Sequence, residues 1–164
     1  MRAEKLISIA AWAFLTFVAF ATLSPYAWRP ELTETEPGIV VILEHVGAFG
    51  VLGFLFLISY PERPRTVSLI VVGSAVALEV GQALLPDRHA RLADALEKIV
   101  GGGAGMLLGI AVLPVVMNAL GLFDRRFAGK SFGEIDSDVF ELGIGFCAVL
   151  LFGMALVIFQ NLAA

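Results

Sequence analysis

Five apolar runs, each close to or above the ~20 residues that carry a helix across a bilayer's hydrocarbon core, dominate this chain. They fall at about 6–23, 39–59, 67–85, 93–118 and 140–160. A helix satisfies its own backbone hydrogen bonds, so runs of this length are absorbed most simply as membrane spans. The composition agrees: 59% of the 164 residues are hydrophobic and 16% charged, where soluble domains run nearer a quarter charged. The expectation is an all-α, polytopic transmembrane bundle of about five spanning helices, formed by residues 1–164 as one domain. The first run follows Arg2 and Lys5 and contains Ala19-Phe20-Ala21, a small-x-small site like those cut by signal peptidase. Its apolar core exceeds the roughly 7–15 residues of a signal peptide, so it reads as a retained span.

The segments between the runs carry the punctuation. Ser24-Pro25-Tyr26-Ala27-Trp28-Arg29-Pro30 places two helix-breaking prolines beside aromatics that favour the headgroup level. An acidic loop with Glu31, Glu34 and Glu36 follows, and Tyr60-Pro61-Glu62-Arg63-Pro64-Arg65 makes a short basic turn. Pro114 is placed to kink the fourth run, and Gly121 to Val139 forms a polar loop. If the N-terminus is cytoplasmic, the inner segments hold Arg2, Lys5, Arg63, Arg65, Arg125, Arg126 and Lys130, seven of the eleven cations. The outer ones hold Arg29, Arg88, Arg91 and Lys98. Cations concentrate on the cytoplasmic side, which favours N-in/C-out. The net charge of -4, without a basic run, argues against nucleic acid as a partner. Cys147 is the lone cysteine, so no intrachain disulfide forms, and it suits a small buried side chain.

Polar residues are rationed in such a chain, and they gather between Glu79 and Gly109. Glu79 and Gln82 lie three apart on one face of the third helix. Asp94, Lys98, Gly101, Gly105 and Gly109 recur at four, three, four and four on the fourth. The last three form a GxxxGxxxG stripe, which allows close approach of a neighbouring helix in a bilayer. A phosphate-cradling glycine loop is the weaker reading, because no strand precedes it and no Lys-Ser/Thr follows. On the second helix, Glu44 and His45 precede Gly47, Gly50 and Gly53. Alternation of spans puts His45, Glu79, Gln82, Arg88, Asp94 and Lys98 at one membrane face in either orientation.

This ordered set resembles the VanZ-like family of small bacterial membrane proteins, over about 43–109 and, with a weaker echo at Ser24-Pro25, a core of about 24–112. His45, Glu79, Gln82, Arg88, Asp94, Gly101 and Gly105 stand at the spacings of the family pattern. Val41 and Ile42 replace its Asp-Lys pair, Phe49 its Tyr, and Lys98 its Asn. The resemblance implies a multi-pass protein of the bacterial inner membrane, associated with the cell envelope, and implies no reaction.

Three functions fit the cluster. Charges at membrane depth are costly and seek partners in the bundle interior. The simplest reading is a polar clamp between helices, in which Glu79 accepts from His45 or Lys98. Alternatively, Arg88, Arg91, Lys98 and a protonated His45 would hold the phosphate of an anionic or isoprenoid lipid, helped by the fourth helix's N-terminus. An enzyme acting on a lipid-linked precursor would use Glu79 and His45 as acid and base, but no nucleophile lies beside them. No HExxH or comparable ligand spacing occurs, so neither metal nor cofactor is expected. A small accessory subunit of a larger membrane complex, or a homo-oligomer, would also suit the glycine stripe and the apolar fifth helix.

Overall fold

The computed structural model describes residues 2–24, 38–85 and 91–119. Among these are four helices: α1 (Arg2–Leu23), α2 (Gly38–Ser59), α3 (Pro64–Ala83) and α4 (Leu92–Ala119). The expected fifth span, 140–160, lies outside the described residues. Each of the four is long and apolar enough to cross a membrane, and only 22–39% of the apolar window of each is buried. Most of the oily surface therefore faces outward, as it does where lipid is the solvent.

Local chemistry sets the helix ends. Ser24 closes α1, its Oγ and N–H both donating to the Phe20 carbonyl at 2.6 and 2.8 Å, and Pro25 disfavours a further helical residue before it. Between α2 and α3 the chain turns in four residues, with the Arg63 N–H donating to the Tyr60 carbonyl at 3.1 Å. Pro61 fits the second position of that turn, and Pro64 fits the first position of α3, where no N–H is required. At its other end α3 tightens into three-residue bonds, Leu84 N–H to Gly81 and Leu85 N–H to Gln82, before Pro86. Helix α4 continues past Pro114 to Ala119.

Side-chain pairings fix the directions. Tyr60, just past the end of α2, meets Ser8 and Trp12 of α1, while Leu23 lies against Gly81, so α1 runs against α2 and along α3. Val71 touches Gly102 and Ser68 reaches Met106, making α3 and α4 antiparallel. Gly101 meets Val46, Gly105 meets Gly50, and Gly109 meets Leu57. These numbers rise together, so α2 and α4 run parallel. The four helices thus alternate up and down, and the start of α2, the end of α3 and the start of α4 share one end of the bundle.

The core is a stripe from each helix. Ala11, Leu15, Val18 and Ala19 of α1 pack with Phe49, Leu52 and Phe56 of α2 and with Val67, Val71 and Ala75 of α3. The buried positions of α3 are 67, 70, 71, 74, 75, 78 and 79, a helical repeat of three and four. Glu79 extends that stripe by one turn. On α4 the buried positions among those described are 95, 98, 101, 102, 105 and 109, and Lys98 occupies the same kind of place. The α3 and α4 stripes therefore each carry one charge where the apolar pattern calls for an apolar residue.

Glycine decides how closely α2 and α4 approach. A Cβ on Gly105 would overlap the Gly50 carbonyl oxygen, one on Gly53 that of Gly102, and one on Gly101 that of Val46. Gly101 and Gly105 act as the stripe predicts. A Cβ on Gly109 would come nearest the Leu57 side chain, 2.9 Å from its Cδ2, where a side chain and not backbone would have to yield. Gly102, off the predicted stripe, is as crowded as its neighbours, wedged between Gly53 of α2 and Val71 of α3.

Candidate functional site

The polar cluster forms two groups flanking the start of α4, one shared with α3 and one with α2. In the first, Lys98 Nζ donates to Glu79 Oε2 at 2.5 Å, with the lysine 1% and the glutamate 7% exposed. The Arg91 backbone N–H donates to Glu79 Oε1 at 2.7 Å. Arg91 immediately precedes α4 and takes the N-cap place, since its carbonyl accepts from the N–H groups of Asp94 and Ala95. One α3 carboxylate therefore does two jobs: it neutralises a buried lysine and caps the N-terminus of α4, where the helix dipole favours a negative charge.

The second group lies between α2 and α4. His45 Nδ1 and Glu97 Oε2 are 2.9 Å apart, each side chain 22% exposed. Asp94, one turn back from Glu97, completes a trio whose ligand atoms all lie within 4.8 Å of one another. Below the trio, Gly101 packs on Val46, the neighbour of His45, so the two helix backbones approach closely beside it.

Of the two donors expected for Glu79, Lys98 is the one present. His45 turns instead to Glu97, which sequence spacing did not single out. Asp94 does fall on the face shared with Lys98 and the glycines, yet its neighbours in the site are His45 and Glu97, and Lys98 turns to α3. Gln82 is half-buried one turn beyond Glu79. Arg91 enters through its backbone, with the residue exposed. Arg88, with His89, lies outside the described residues. The only sequence cue to Glu97 is its place three residues after Asp94 on a shared face. That cue means nothing until α2 is known to lie alongside.

At the other end, Tyr60 makes a second polar focus. Its hydroxyl is 2.6 Å from Ser8 Oγ and accepts from Trp12 Nε1 at 3.3 Å. Phe56 meets the Trp12 ring edge-on at 4.9 Å. This joint ties α1 to α2, and sequence reading had placed none of it.

Fold and site together define, among the described residues, an all-helical structure with four helices long and apolar enough to cross a membrane, the buried Glu79–Lys98 pair lying at one end. A scan of protein-family models and searches of characterised proteins and of solved structures find no match for it.

Proposed function

We propose that the chain is a non-catalytic, VanZ-like, multi-pass protein of the bacterial inner membrane, associated with the cell envelope, whose polar cluster is a clamp holding α4 to α3 beneath the outer face. The observation that carries this reading is the commitment of Glu79: both of its oxygens are used, one by Lys98 and one by the backbone N–H of Arg91, immediately before α4. Two of the groups that a phosphate site would need are likewise engaged by carboxylates, Lys98 by Glu79 and His45 by Glu97. Asp94 and Glu97 beside them would repel an anionic head group. The clamp reading is therefore preferred to lipid phosphate recognition. A place as an accessory subunit of a larger complex is compatible with the clamp, since a bundle that rigidifies itself offers its apolar exterior to neighbours.

Thermal unfolding in detergent, paired with native mass spectrometry, tests the proposal. Glu79→Gln leaves a buried lysine without its counter-charge, a change that costs roughly 3–5 kcal/mol, so the melting temperature falls while any co-purifying lipid stays the same. Loss of a bound anionic lipid in Arg91→Ala, with melting unchanged, would instead support head-group binding.

A further inference from the structure

We propose that His45, Asp94 and Glu97 form a binding site for a divalent cation of the zinc type, bridging α2 to α4 at the same end of the bundle as the Glu79–Lys98 pair. The inference concerns residues outside that pair and stands independently of the clamp.

Three features of the trio point to a metal. The first is the donor set, one imidazole nitrogen and two carboxylate oxygens drawn together from two helices. Zinc accepts these ligands at about 2.0–2.2 Å, which places tetrahedral ligand atoms about 3.4 Å apart. The trio's atoms lie within 4.8 Å of one another, and the His45–Glu97 pair is already at 2.9 Å. Coordination therefore asks the widest of these separations to close by no more than about 1.4 Å.

The second feature is charge. Asp94 and Glu97 face one another one turn apart on α4, and like charges so placed repel. His45 supplies at most a single positive charge. Lys98, the cation of the same helical segment, is buried and turned to Glu79, so it does not offset them. A divalent ion on a neutral imidazole and two carboxylates makes the group electrically neutral, which matters where the low-dielectric interior begins.

The third is access combined with rigidity. His45 lies six residues beyond Ile39, where the α2 span begins, a rise of about 9 Å, and Asp94 is in the first turn of α4. All three residues are partly exposed, so an ion has a route in, while the glycine contact at Val46 keeps the two helices from spreading. Water would complete the coordination. The imidazole selects a borderline ion over the hard ions Mg2+ and Ca2+, which favour all-oxygen sites.

Equilibrium dialysis of the purified full chain against Zn2+ in detergent, with metal counted by mass spectrometry, tests the proposal. The expected result is one zinc ion per chain, kept in millimolar Mg2+ and kept by His89→Ala, which removes the other histidine of the chain. His45→Ala and the near-isosteric Glu97→Gln should each weaken binding by more than the ~10–100-fold that loss of an outer-shell partner alone costs. Zn2+ should also raise the melting temperature of the unmodified protein but not of Glu97→Gln, a readout that requires Glu97→Gln to be folded. Unchanged affinity in either variant, or loss of zinc with His89→Ala alone, would overturn the assignment. Failure of zinc binding would leave the Glu79 clamp standing, because its destabilisation by Glu79→Gln is measured without metal.

Discussion

At the scale of single residues, the chain places its few polar groups where each can satisfy more than one partner. Glu79 is the clearest case, and Tyr60 is its counterpart at the far end. Its hydroxyl serves Ser8 and Trp12 together, and its ring lies 6.4 Å from that of Phe56. Tyr60→Phe keeps the ring and deletes both hydrogen bonds. Each such bond is worth only about 0.6 kcal/mol between membrane helices, so the variant should lose roughly 1 kcal/mol of stability in denaturant unfolding, with the fold intact. The sequence announced Glu79 because an acid in an apolar run is conspicuous. Tyr60 was not conspicuous: a tyrosine beside a proline at a helix end reads equally well as an interfacial anchor, and only the approach of α1 turns it into a joint.

At the scale of helices, glycine converts sequence into geometry. The contact between α2 and α4 is backbone against backbone where Gly105 meets Gly50, and a methyl group on Gly105 has no room. Gly105→Ala should therefore force the helices apart and cost roughly 1–3 kcal/mol, as overpacking does. Gly103, two residues away, has nothing within 4 Å of where its Cβ would sit. Gly103→Ala should be neutral or gain up to about 1 kcal/mol from helix propensity. Melting both variants side by side separates close packing from mere glycine content. Helix positions and the 101/105 part of the stripe were legible in the sequence, because length, hydropathy and the four-residue repeat are local properties. Gly102 escaped notice, since its crowding comes from Gly53 and Val71 on two other helices. For the same reason Glu97 stayed hidden until α2 and α4 were seen to run side by side.

For the molecule as a whole, alternation of four apolar helices puts both charged groups at one end and the Tyr60 joint at the other. The proposed orientation, with the N-terminus inside, has a direct consequence in whole cells. With Cys147 replaced by serine, Arg91→Cys should react with a membrane-impermeant maleimide and Glu62→Cys should not; the reverse pattern would invert the topology. Within the bundle, α4 is held by glycine contacts to α2 and by the Glu79–Lys98 bridge to α3. A double-mutant cycle on that bridge tests the clamp most directly: unfolding free energies in detergent for Glu79→Gln, Lys98→Met and the two combined. If the pair couples the helices, each single variant strands a buried charge or a capping carboxylate. The double variant should then be at least ~2 kcal/mol less destabilised than the sum of the two. Additivity within about 0.5 kcal/mol would mean that Glu79 and Lys98 do not act as a pair, and would contradict the clamp.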